Sequence, residues 1–285
     1  MTPPRDHTTT VLVEGLRFPE GPRWHGHLLF VSDMHDGRVL TVALNGEVAT
    51  FAEVPGWPSG LGWDPSGHLM VVSMRDRRLL KFHSDGPHTV ADLSALAPFH
   101  CNDMVVDVHG GAYVGNFGFD LDAGADPVPT VLVRVEPDGS ARVVADEVAF
   151  PNGSVITPDG RTLIVGETFA GRLSAWTITD DGSLIDRRVW AQLEGAVPDG
   201  ICLDEQGAIW VACPISGRVL RVLEGGEVTD VVTVQRRGAY ACMLGGADRR
   251  TLAICTADSS RPAETEVRRG AIEVCPVEVP GAGRP

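Results

Sequence analysis

The sequence predicts an all-β fold, a six-bladed β-propeller with four antiparallel strands in each blade. Three observations predict it: six segments share one layout, they recur every 39 to 50 residues, and hairpin turns separate their short apolar runs. The segments start at Glu20 (EGPRWHGHLLFVSD), Ser59 (SGLGWDPSGHLMVVS), Asn102 (NDMVVDVHGGAYVGN), Asn152 (NGSVITPDGRTLIVGE), Asp199 (DGICLDEQGAIWVAC) and Cys242 (CMLGGADRRTLAICT). Each reads as a polar residue, a short apolar run, a turn, then a run of β-branched and aliphatic residues. In the second to fifth segments the turn glycine lies eight positions after the start, at Gly67, Gly110, Gly160 and Gly207. The first segment is two residues shorter, and the sixth has Arg250 at that place.

Every unit continues with further strand-like runs, such as 38–44 (RVLTVAL) and 47–54 (EVATFAEV) around Asn45-Gly46. Apolar alternation bounded by Asn-Gly, Asp-Gly and Ser-Gly is a hairpin signal. The sixth unit supplies three runs only, 242–247, 251–256 and 270–276. The run 9–14 (TTVLVE) is expected to supply its missing outer strand, so that residues 1–285 form one propeller domain with no open edge between first and last blades. No segment of helix length shows a 3.6-residue apolar period.

The chain carries 43% hydrophobic and 22% charged residues and a formal net charge of −14. That charge argues against nucleic acid and anionic membrane surfaces, which attract basic proteins. Residues 1–10 lack the apolar core of a signal peptide, and no stretch reaches the roughly 18 apolar residues of a membrane span. The expectation is a soluble, cytoplasmic monomer acting on a small molecule. The six cysteines form no CxxC pair, so they are expected to stay reduced and pack as small hydrophobes. There is no GxSxG elbow, no HExxH helix and no phosphate-cradling glycine loop. Trp63-Asp64 is a lone WD dipeptide at the wrong strand end for a protein-binding propeller.

In a propeller the first strand of every blade lines the central channel, so equivalent positions form a ring about the axis. The six start positions are Glu20, Ser59, Asn102, Asn152, Asp199 and Cys242, of which five offer an oxygen. Two carboxylates and two carboxamides suit a hard divalent cation such as Ca²⁺, Mg²⁺ or Mn²⁺. Asn-Gly and Asp-Gly are also ordinary turn formers, which accounts for any one position taken singly. Their recurrence at one register of the repeat favours the ring.

The segments Phe18-Pro19-Glu20-Gly21-Pro22, Phe150-Pro151-Asn152-Gly153 and Val197-Pro198-Asp199-Gly200 resemble those of the SMP-30/gluconolactonase/luciferin-regenerating enzyme family. The resemblance in layout extends over residues 11–277. It implies a six-bladed propeller holding one divalent metal ion on Glu20, Asn152 and Asp199, with Ca²⁺ the first candidate and Zn²⁺, Mn²⁺ or Mg²⁺ the others. It further implies Asp199 as ligand and base, and Asn102 as a residue close to metal and substrate. Two departures stand out. His100 occupies the place of an arginine of the sugar lactonases, and Asn116-Phe117-Gly118-Phe119 stands where they carry an acidic sugar-binding residue. An aromatic wall is therefore expected in place of a charged one.

The pocket walls are expected on the loops that follow the second strand of each blade: His35, Met74-Arg75, Asn116-Phe117, Glu167-Thr168-Phe169 and Cys213-Pro214, with His100 and Phe119 beside them. The longest such loop, 117–129 (FGFDLDAGADPVP), reads either as a lid or as a solvated acidic loop. The first functional reading is metal-dependent hydrolysis of a lactone or cyclic ester less polar than a sugar lactone. Isomerisation, addition or cyclisation of a carbonyl compound at the same site is the second. A calcium- or ligand-binding propeller without catalysis is the third.

Overall fold

The computed structural model describes residues 3–283 and contains six β-sheets arranged as the blades of a propeller. The blades' innermost strands are Pro19–His25, Pro58–Trp63, Cys101–Val106, Pro151–Ile156, Ile201–Leu203 and Gly238–Gly245. In each blade the chain runs outward from the channel in antiparallel steps. In the second to fifth blades the first hairpin turns on the expected glycine with positive φ (Gly67, Gly110, Gly160, Gly207). In the sixth blade Gly246 opens the turn at φ 81°, and Arg249, a non-glycine residue, also takes the left-handed region at φ 59°.

The strand Thr10–Leu16 completes the sixth blade, pairing antiparallel with Gly270–Pro276. Before it, Arg5–Thr8 adds a fifth strand to the fifth blade, parallel to Val228–Thr233. That segment has no apolar alternation; besides its backbone ladder it is held by side chains, with Arg5 Nε and His7 Nε2 at 3.0 and 2.9 Å from Asp230 Oδ1. The two strands tie the last two blades together across their outer edges.

Apolar clusters fill the spaces between blades, for example Trp210, Val219, Leu244, Leu252 and Ile254 between the fifth and sixth. After the last strand the chain passes under the opposite mouth of the channel. There Gly281 bridges Asp204, Ala282 N–H donates to Leu203 O at 3.0 Å, and Arg249 Nη1 donates to Gly281 O at 3.0 Å. A cleft of about 870 Å³ opens at this end, bordered by Asp107, Arg134, Ile156, Arg161 and Ala282. Arg134 there is engaged by Asp107 and Glu136, both at 2.8 Å. Among the described residues no helix is long and apolar enough to cross a membrane. All six cysteines are buried and unpaired, and burial pushes Cys101 and Cys213 up to about 12, so they remain thiols.

Candidate active site

Five of the six ring residues lie inside strands, and Asp199 stands two residues before Ile201–Leu203. Asn152-Gly153 lies inside the strand Pro151–Ile156, and Glu20-Gly21 inside Pro19–His25. Their glycines serve close approach between blades: a Cβ on Gly153 would come within 2.3 Å of Ile201 N, and one on Gly200 within 2.5 Å of Ala241 Cβ. In the first four blades the strand register slips at the ring position, between Glu20 and Arg23, Pro58 and Leu61, Cys101 and Met104, and Pro151 and Ser154. Such bulges re-aim side chains, here where the channel-lining residues lie.

Asn102, Asn152 and Asp199 are buried and Glu20 is partly so. Asn102 Nδ2 donates to Pro151 O at 3.3 Å, and Asn152 Nδ2 donates to Thr168 Oγ1 at 3.3 Å. Thr168 Oγ1 in turn donates to Pro198 O at 2.8 Å, tying the fourth blade to the fifth. Gly21 N–H donates to Glu20 Oε2 at 3.0 Å. Burial raises Glu20 to about 8, the Gly21 N–H opposes the shift, and Asp103 adds to it. Asp199 is raised well above the usual carboxylate range, first by burial and then by Glu20 and Asp103. These carboxylates disfavour each other's ionised form unless a cation lies between them.

Two further charges occupy the channel. Arg23 is almost fully buried, and its Nη2 donates to Asp103 Oδ1 at 3.1 Å, Asp103 Oδ2 at 3.3 Å and Met104 O at 2.9 Å. Glu20, Asp103 and Asp199 against Arg23 leave a formal surplus of two negative charges, which matches one divalent cation. Among the described residues no three His, Cys, Asp or Glu side chains form a metal cluster by themselves. The ring offers two carboxylates plus carboxamide oxygens, a donor set for a hard cation with water completing its shell. The residues fit such an ion. Cys242, the sixth ring member, packs against Cys202 with sulfurs 3.9 Å apart and offers no oxygen.

Two residues upstream of the ring is a second tier: Phe18, Trp57, His100, Phe150, Val197 and Tyr240. Five of the six are aromatic. The tier is continuous on one side, with Phe18 4.7 Å from Tyr240 edge-on, and on the other through Phe117, 6.0 Å from His100 and 4.6 Å from Phe150. Trp57 and Phe150 take positive φ, 69° and 60°, a conformation that bulky side chains adopt only when their surroundings impose it. Glu167 helps impose it at Phe150. Its carboxylate is fully buried, accepts Ala149 N–H at 2.8 Å and is held by Arg172 and Arg187.

The predicted wall residues divide. Met74 is buried among Phe18, Met34 and Tyr240 in the collar's apolar packing, with Trp57 and Phe117 against it. Phe119 packs on Phe150 and Phe169, and Phe169 is 49% exposed at the rim. His35 lies behind the collar, stacked on Phe18 at 4.7 Å with Nδ1 2.9 Å from Thr265 Oγ1. Burial lowers it to about 4, so it supports the collar as a neutral ring. Asn116 is fully buried and both its polar groups are spent, on Val131 O at 2.9 Å and Thr130 Oγ1 at 2.6 Å, at the base of the 117–129 loop. Glu167, read from sequence as wall, braces the chain. Sequence reading missed Arg23, Asp103 and the collar, although the collar's aromatic recurrence was present two positions before each ring residue.

Glu167 gives a pH-dependent prediction. Burial would raise its carboxyl, but Arg172, the Ala149 N–H, Ser174 and Arg187 outweigh this and hold it at about 2. A depressed carboxyl contributes stability that is present above its unfolded pKa and lost as pH falls from about 4.5 toward 2. Glu167→Gln is expected to cost about 3 kcal/mol at pH 7 and much less at pH 3, as read by urea denaturation. An equal cost at both pH values would remove the carboxylate's charge from the account.

The SMP-30/gluconolactonase/LRE-like region matches residues 18–258 of this chain. A 6-deoxy-6-sulfogluconolactonase from Pseudomonas putida is 28% identical over 89% of this chain and 84% of its own length. A pentonolactonase from Haloferax volcanii is 25% identical over 87% and 84%. Among solved structures, a luciferin-regenerating enzyme superposes with a TM-score of 0.83 at 16% identity, covering 97% of this chain and 98% of that one. A calcium-binding regucalcin from Agrobacterium tumefaciens gives 0.81 at 18% identity, covering 99% and 98%. Those two structures establish the fold likeness, while the family match spans most of the chain, ring and collar included: it belongs to the SMP-30/gluconolactonase/LRE-like family.

Proposed function

We propose that this chain is a metal-dependent hydrolase of a lactone or cyclic ester less polar than a sugar lactone. The observation that carries the reading is a channel ring of two carboxylates, Asp199 buried and Glu20 partly so, flanked by two carboxamides beneath a collar of aromatic rings. Relatives named as lactonases support the reaction class. Glu20, Asn152 and Asp199 would hold one divalent ion, Ca²⁺ being the first candidate. When bound, that ion supplies Lewis-acid polarisation of an ester carbonyl and favours the ionised carboxylates.

The remaining work falls to side chains. Asp199 accepts a proton from the attacking water, and Asn102 orients the substrate oxygen from the neighbouring ring position. Phe18, Trp57, Phe150 and Tyr240 grip the apolar faces of the ring and exclude bulk water, which strengthens the electrostatics beneath them. Hydroxyl-rich substrates find few partners in such a collar, which favours alkyl- or aryl-substituted lactones.

The test is a lactone panel at neutral pH with metal-stripped protein, restoring Ca²⁺, Mn²⁺, Mg²⁺ or Zn²⁺ singly. Turnover is expected to return with metal and to favour substituted aliphatic or aromatic lactones over sugar lactones. Tight metal binding with no turnover of any lactone would overturn hydrolysis and move the site to non-hydrolytic carbonyl chemistry or to binding alone.

A further inference from the structure

Resting on the lactonase reading, we propose that Arg75 selects, among lactones whose rings are otherwise apolar and free of hydroxyls, those carrying a single carboxylate substituent. Its guanidinium carbon lies 4.8 Å from the centroid of the Trp57 ring, on the collar above Ser59. The two residues are held as one unit. Arg75 N–H donates to Gly56 O and Met74 N–H donates to Trp57 O, both at 2.8 Å, while Cys101 N–H donates to Met74 O at 3.0 Å. Gly56 is needed for this closeness, since a Cβ there would fall 2.3 Å from Ser73 Oγ.

A guanidinium stacked on an indole keeps its in-plane N–H donors free, and their fork matches a carboxylate. Among the described residues nothing occupies that fork: Arg75 forms no ion pair and no side-chain hydrogen bond, in a chain with 38 acidic residues. Neighbouring Asp76 is directed elsewhere, 4.0 Å from Arg78. His100, the next collar member, is held below its ordinary pKa by burial and by Arg75, with Asp122 and Asp120 opposing the shift. An exposed, oriented and unpaired cation stands at one sector of an otherwise apolar collar. A lactone ring seated over the metal site would place a substituent against it.

The probes are 5-oxotetrahydrofuran-3-carboxylate and its uncharged carboxamide, with wild type, Arg75→Gln and Arg75→Lys. Arg75→Gln is expected to lower the carboxylate-to-carboxamide ratio of kcat/KM about tenfold, chiefly through KM, and Arg75→Lys to restore part of it. An unchanged ratio, or equal loss on both probes, overturns the assignment. If neither probe is hydrolysed, the lactone panel above decides the lactonase reading separately, and calorimetry with the non-hydrolysable tetrahydrofuran-3-carboxylate decides the anion site. Binding about tenfold weaker in Arg75→Gln than in wild type sustains it. Equal binding, or none by either protein, overturns it.

Discussion

An Asp199→Asn protein is expected to keep its fold and lose lactone turnover by about 10³-fold, within the range lost when a positioned general base is removed. The change is nearly isosteric and leaves a carbonyl oxygen facing the channel. Its neighbours Gly200 and Ala212 are fixed by backbone bonds, Gly200 N–H to Tyr240 O at 2.8 Å and Ala212 N–H to Gly200 O at 3.0 Å. The carboxylate it removes is one that burial, Glu20 and Asp103 all disfavour, so the metal-free variant should melt no lower than wild type. Glu20→Gln is the control for ligation alone. It should weaken metal binding, and excess metal should recover much of its activity. Turnover in Asp199→Asn should stay low at any metal concentration. Full activity there, or rescue equal to that of Glu20→Gln, would reduce Asp199 to a ligand.

The propeller was legible because its signal is repeated six times, and a repeat survives local ambiguity at any one blade. The ring was legible for the same reason: Glu20, Asn102, Asn152 and Asp199 interrupt apolar context at one register. Its local physics was not. Asn-Gly and Asp-Gly look alike whether glycine turns the chain or admits a neighbouring blade, and here Gly153 and Gly200 do the second. The collar escaped notice because an aromatic before proline reads as ordinary core at Phe18, Trp57 and Phe150. Sequence places Asn116 on the wall loop without showing that Val131 and Thr130 consume its amide. The strand Arg5–Thr8 shows no apolar alternation, since its side-chain attachment is polar, through Arg5 and His7 to Asp230. Arg23 and Asp103 lie 80 residues apart on different blades, and only closure of the ring brings them together.

That pair yields the second large effect. Arg23→Met is expected to cost about 3–5 kcal/mol of unfolding free energy, because it leaves Asp103 buried beside Glu20 and Asp199 without its cation. Asp103→Asn should also destabilise, by stranding the guanidinium, which is only 2% exposed. The double variant should cost well under the sum of the two, with a coupling of about 2 kcal/mol measurable by urea denaturation. Metal affinity separates the pair's electrostatic role from its packing role. Arg23→Met makes the channel more negative and should tighten divalent-ion binding, whereas Asp103→Asn should loosen it. Both single variants therefore lose stability while calorimetric metal affinity moves in opposite directions. If both weaken the metal alike, the pair acts only as scaffold, and the match between channel charge and a dication loses its support.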